Sequence, residues 1–138
     1  MTVYFDTSAV VKVVIAEEGS REAVSLWNAA TSVILGELAY PEARAAIAAA
    51  RRARRLGGQT YVRAVAGIEE LVSDALIIGV DRALARNAGD LADQHALRGY
   101  DAVHLASALA ADVDVVVTWD RDLARAVVAS GIAAAPAL

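Results

Sequence analysis

Short apolar runs that alternate with helical patterns constrain this chain more than any other feature. Residues 2–5, 31–35, 75–80 and 114–118 have the length and the β-branched or aromatic character of buried strands. Residues 132–136 read as a short last strand at a sheet edge, where Pro136 does little harm. The connections carry helical periodicity over 8–16, from Ser20 onward, from about Ala39 to Leu56, and over 59–73, 82–97, 102–111 and 122–130. Gly57-Gly58 and Gly131 stand where helices are expected to end. Pro41 falls in a first turn, where proline is tolerated. Strands joined through helices pair in parallel, and both faces of such a sheet are covered. The expected fold is therefore α/β. It is a single domain over residues 1–138, with three α/β/α layers around a central parallel sheet of four to five strands.

Composition sets limits on function. The chain is 57% hydrophobic, but much of this is alanine, a strong helix former. No uncharged apolar run reaches the roughly 18 residues of a membrane span, and no basic leader opens the chain. Neither a membrane helix nor a signal peptide is expected. The absence of cysteine excludes disulfides and thiolate metal sites, and fits a cytoplasmic setting. The net charge of −4 excludes nucleic-acid binding through bulk positive charge, so such binding would need a local basic patch or bound cations.

Two strands stop at an acid. Asp6 follows Val3-Tyr4-Phe5, and Asp120 follows Val115-Val116-Val117-Thr118-Trp119. In a parallel sheet both lie at the carboxyl edge, where open α/β sheets bind ligands. Asp101 opens an apolar helix, and Glu42 lies early in the helix after the second strand, so both can reach the same edge. Taken singly, each acid is an ordinary cap, turn residue or helix-dipole partner. Taken together, they raise an electrostatic problem. Two unit charges about 5 Å apart repel by roughly 3 kcal/mol at an effective dielectric of 20. A divalent cation resolves it, and an oxygen-only set favours Mg²⁺ or Mn²⁺ over Zn²⁺. Such a site commonly serves phosphoryl chemistry through a metal-activated water.

Four segments carry a family resemblance. Asp6-Thr7-Ser8-Ala9-Val10-Val11-Lys12 resembles the opening motif of PIN-domain ribonucleases, particularly the VapC-type toxins of toxin–antitoxin pairs. Gly36-Glu37-Leu38-Ala39-Tyr40-Pro41-Glu42 is similar to the helix that carries that family's second acid. Arg98-Gly99-Tyr100-Asp101-Ala102-Val103-His104-Leu105-Ala106 is similar to the third-acid motif, and Thr118-Trp119-Asp120-Arg121-Asp122-Leu123-Ala124 to the fourth. Two departures stand out: Gly36 occupies a place where the family often has Ser or Thr, and Pro41 immediately precedes the second acid. The resemblance implies a Mg²⁺- or Mn²⁺-dependent endoribonuclease, a small cognate antitoxin and a homodimer. It implies catalytic, metal-holding roles for Asp6, Glu42, Asp101 and Asp120, with the hydroxyls of Ser8 and Thr118 supporting them from behind.

Alternatives accompany several residues. Asp122 competes with Asp120 for the last acidic role; Asp120 is preferred because it closely follows the strand. Lys12, Arg121 and Trp119 are near enough to touch an RNA, although Trp119 equally suits packing. His104, three positions after Asp101, either faces the site or packs beside its apolar helix, with packing preferred, and His95 is read as a surface or helix-end residue. The run Arg51-Arg52-Ala53-Arg54-Arg55 is either a solvated helix end or a contact for phosphate or an acidic antitoxin segment. Tyr61, Val65, Ile68, Leu71 and Val72 form an apolar face that suits either the core or a partner. An aspartyl-phosphate phosphatase is disfavoured, because Ser8 stands where that chemistry usually has a second Asp. A non-catalytic module that binds RNA or protein is the remaining alternative, and it gives no reason for four acids to be kept together.

Overall fold

A computed structural model describes residues 1–137; Leu138, the last residue of the expected domain, lies outside the described residues. The elements in chain order are β1 (Thr2–Phe5), α1 (Thr7–Val14), α2 (Ser20–Ala29), β2 (Ser32–Gly36), α3 (Ala39–Arg52), α4 (Gly58–Asp74), β3 (Leu76–Ile78), α5 (Arg82–His95), α6 (Gly99–Ala110), β4 (Val115–Val117), α7 (Arg121–Ala129) and β5 (Ala133–Ala135). The five strands form one parallel sheet in the order β3-β2-β1-β4-β5. The proline-containing last run is indeed an edge strand, as is β3.

Alternation along the strands builds a core on each face. Val3, Phe5, Leu35 and Val117 face a cluster completed by α1, α3 and α4, with Leu26 and Trp27 of α2 at its border. Trp27 packs edge-on against Phe5, with ring centroids 5.0 Å apart. Tyr4, Ile34 and Val116 face the opposite cluster, completed by α5, α6 and α7. These are the three layers expected.

Some boundaries differ from the sequence reading. The expected helix to Leu56 stops at Arg52. Arg54 adopts a left-handed φ of 59°, and the Arg55 N–H returns to the Ala50 carbonyl, so the basic run wraps a helix end. Gly57-Gly58 therefore opens α4 rather than ending α3. The expected 75–80 strand pairs only over Leu76–Ile78, because the Val80 N–H turns to the Glu37 carboxylate, 2.8 Å away. The apolar face of α4 is directed into its own core: Ile68 and Leu71 are buried, with Tyr61, Val65 and Val72 packed beside them.

The register positions the candidate site. Phe5 pairs with Val117, so the residues that leave the two central strands, Asp6 and Thr118, emerge side by side. The start of α3 follows β2 at the same edge.

Two substitutions on α4 test this packing. Ile68→Ala, at a fully buried position, is expected to lower unfolding free energy by about 2–5 kcal/mol in urea. Val62→Ala, on the exposed face, is expected to stay within about 0.5 kcal/mol of the native chain. Equal effects would contradict the assigned helix faces.

Candidate active site

Asp6 is the most enclosed acid. It leaves β1, caps α1 by accepting the Ala9 N–H at 3.0 Å, and accepts the Ser8 hydroxyl at 2.6 Å on the same oxygen. Its other oxygen accepts the Thr118 hydroxyl. Thr118 Oγ1 also accepts the Asp120 N–H, and Ser8 Oγ accepts the Trp119 N–H, each at 3.0 Å. The turns after β1 and β4 are thereby stitched together. Burial raises the Asp6 carboxyl above its ordinary value, although the charge of His104 and the three hydrogen bonds oppose this.

Asp101 and Asp120 share a cation. The first turn of α6 begins at Gly99, so Asp101 lies inside the helix instead of capping it as expected. A helix that starts three residues earlier than expected leaves this carboxylate free of backbone duty. Arg98, at the position before the helix, donates from Nε to Asp101 Oδ2 at 2.9 Å and from a terminal nitrogen to Asp120 Oδ2 at 3.1 Å. The other oxygen of Asp120 accepts the Leu123 N–H and caps α7. Asp122 pairs with Arg125 on the surface. Asp120, and not Asp122, therefore caps α7, and its other oxygen faces Arg98.

Glu42 belongs to the first turn of α3, just after Pro41, and its N–H reaches the Leu38 carbonyl. Its Oε1 accepts the Thr7 hydroxyl and the His104 Nε2–H, both at 2.8 Å. Burial alone would raise this carboxyl. The hydrogen bonds from His104 and Thr7, with the charges of His104 and Arg98, instead hold it below the usual glutamate range. Burial would lower the His104 imidazole, but Glu42, Asp6 and Asp101 outweigh it and raise its affinity for a proton. Arg98 is the site residue that sequence reasoning passed over, and His104, preferred as a packing residue, is instead the one whose spacing of one helical turn from Asp101 puts both on one face.

The candidate substrate residues are placed unequally. Lys12 is committed to Glu17 at 3.0 Å and to the Glu18 carbonyl at 2.8 Å, with its ammonium 5.3 Å from the Trp119 ring. Trp119 packs over Gly19, where a Cβ would lie 2.9 Å from the indole nitrogen. Gly19 has a φ of +86°, so both space and backbone require glycine there. Arg121 is exposed beside Asp120 and makes no ion pair among the described residues. An open groove is lined by Thr7, Ser8, Lys12 and Trp119 and, of the four acids, by Asp120.

The four expected acids therefore meet at one sheet edge in three subsets. Asp6 is held by hydroxyls, Asp101 and Asp120 by Arg98, and Glu42 by His104. With the side chains so paired, no group of three or more His, Asp or Glu among the described residues forms a ligand cage. The donor chemistry, carboxylate oxygens throughout, still suits a hard divalent cation. Arg98 currently supplies the positive charge such a cation would bring.

Comparisons with known proteins agree with this architecture. Residues 3–128 match the PIN domain family model. Ribonuclease VapC45 and Ribonuclease VapC49, from two strains of Mycobacterium tuberculosis, are each 43% identical to this chain over 137 residues, which is 98% of this chain and 95% of the relative. Among solved structures, Mycobacterium tuberculosis VapC20, described as a Sarcin-Ricin loop cleaving toxin, superposes with a TM-score of 0.71 at 19% identity over 90% of this chain and 94% of that one. A toxin–antitoxin complex from Klebsiella pneumoniae superposes with a TM-score of 0.65 at 17% identity, covering 88% of this chain and 90% of its own.

The raised Asp6 carboxyl has a consequence for stability. The folded protein keeps this proton at pH values where the unfolded chain has released it. This contribution is full below the ordinary aspartate value and is lost as pH rises through the raised one. Asp6→Asn cannot ionise, so its stability to urea relative to the native protein is expected to rise as pH goes from the ordinary aspartate value to 7. A relative stability that stays flat or falls over that range would contradict the burial penalty.

Proposed function

This chain belongs to the PIN domain family, and from that premise we propose that it is a Mg²⁺- or Mn²⁺-dependent endoribonuclease, the toxin of a toxin–antitoxin pair. The observation that carries the reading is the meeting of Asp6, Glu42, Asp101 and Asp120 at one sheet edge, from four separate segments. The relatives at 43% identity, named as ribonucleases, support it. The Klebsiella pneumoniae complex supports a small antitoxin partner. The family resemblance adds pairing of two copies of this chain, and the cytoplasm is where the protein would meet its RNA.

Asp6, Asp101 and Asp120 would hold the cation, with Glu42 beside them. When bound, the cation lowers the pKa of a water and offsets charge developing on the scissile phosphate and its leaving oxygen. The protein's share is placement. Ser8, Ala9 and Thr118 fix Asp6 in one orientation, and a buried carboxylate so fixed needs little rearrangement to act as a ligand. The α7 N–H fixes one oxygen of Asp120 and leaves the other toward Arg98. The Arg98 side chain is 78% exposed, and an ion pair held by so exposed a group is screened by solvent and adds little stability. Arg98 can therefore leave the acids readily and turn its guanidinium to RNA phosphate. Arg121 is the second phosphate contact, because it is exposed next to Asp120 and makes no ion pair among the described residues, whereas Lys12 is already engaged. Trp119 borders the groove as an apolar wall for a base.

Cleavage of RNA in the presence of Mg²⁺ or Mn²⁺ tests the reading. The native protein should cut, EDTA should abolish cutting, and re-added cation should restore it. Asp6→Asn and Asp101→Asn should each lose at least about 100-fold, the upper end of what residues that only orient a ligand contribute. Metal-independent cleavage, or full activity in both variants, would overturn the proposal. Arg98→Ala should bind Mn²⁺ more tightly than the native protein by calorimetry. Equal or weaker binding would show that guanidinium and cation do not compete.

A further inference from the structure

Behind Glu42 lies a connected set of polar groups that the acidic edge does not account for. His104 is almost fully buried on α6, yet its partners come from three other elements: Tyr4 of β1, Thr7 at the start of α1, and Glu42 of α3. An ionised carboxylate only accepts hydrogen bonds, so His104 Nε2 carries the proton in its bond to Glu42. Thr7 donates to the same oxygen. Oε1 thus takes both donors, while Oε2 accepts no hydrogen bond among the described residues. The carboxylate is anchored at one oxygen and open at the other.

The opposite ring nitrogen sets the imidazole. Nδ1 meets the Tyr4 hydroxyl at 2.8 Å, and the two rings pack edge-on with centroids 5.8 Å apart. Tyr4 is completely buried in the central strand, where a hydroxyl without a partner would lose its hydration with nothing in return. Space for that hydroxyl comes from Gly36, the last residue of β2. A Cβ on Gly36 would lie 2.4 Å from Tyr4 Oη, closer than any side chain could sit without displacing the ring. The departure at this position, where the resembling family often carries Ser or Thr, thereby acquires a physical cause.

We propose that Tyr4 and His104 are positioning residues that hold Glu42 with one oxygen anchored and one free for the acidic site, and that residue 36 is glycine to admit the Tyr4 hydroxyl. The inference rests on the ribonuclease reading for its activity readout. A histidine serving only as core packing would not need partners on three elements, nor would its loss couple to the Tyr4 hydroxyl.

The test combines kinetics with a measurement on the cation-free protein. His104→Leu should lower kcat for RNA about tenfold or more with KM within about twofold, and His104→Gln, whose amide can donate to Glu42, should recover part of the loss. Tyr4→Phe should lower kcat severalfold, and should have no further effect in the His104→Leu background. Gly36→Ala should lower Tm, and adding Tyr4→Phe should restore it by removing the oxygen that the new Cβ meets. In the cation-free protein, NMR should show a slowly exchanging His104 Nε2–H signal that shifts in Tyr4→Phe and moves or vanishes in Glu42→Gln. An unchanged kcat in His104→Leu, independent Tyr4 and His104 effects, or an Nε2–H signal indifferent to both changes would overturn the proposal. Failure of the native protein to cut any RNA would sink the ribonuclease reading alone, since the Tm and NMR arms still decide the positioning claim.

Discussion

The structure at the functional edge depends on one buried carboxylate. A charge moved out of water costs several kcal/mol unless donors replace the lost hydration. Asp6 receives three, from Ser8, Ala9 and Thr118, and they come from both central strand ends. The same carboxylate therefore caps α1, ties β1 to the turn after β4, and fixes where a ligand oxygen sits. Its position follows from parallel pairing of Phe5 with Val117, which brings the next residues of each strand together. An antiparallel pairing would send those ends to opposite edges.

Like charges gathered at one edge need compensation, and the protein divides it between two basic groups of different character. Arg98 is exposed, so its bonds to Asp101 and Asp120 are screened by solvent and add little stability. His104 is buried and bonded on both ring nitrogens, so it orders Glu42 firmly. This arrangement explains why the acids adjoin one another without forming a ready cage: their cohesion at present is with side chains.

Much of the fold was legible in the sequence, because strand period, helix period and acids at strand ends are local signals. The residues 2–5 and 114–118 runs fell close to β1 and β4, and their terminal acids emerged at one edge as parallel topology demands. The end of α3 was less legible: four arginines favour helix by propensity, but Arg54 turns left-handed to bring α4 back over α3. The roles of Arg98, His104, Tyr4 and Gly36 were the least visible. Tyr4 and His104 are 100 residues apart, and Glu42 and His104 are 62 apart, so their pairing exists only in the folded chain. A buried histidine and a strand-end glycine each have a bland explanation until their neighbours are known.

As proposed, this edge takes a divalent cation, and Arg98 stands in for its charge when none is bound. Anomalous diffraction from crystals grown with Mn²⁺ addresses it most directly. The account predicts a peak about 2.0–2.2 Å from carboxylate oxygens of Asp6 and Asp101, with Arg98 moved off Asp101 and Asp120. Arg98 still bridging those two acids, with Mn²⁺ bound elsewhere or nowhere, would contradict it.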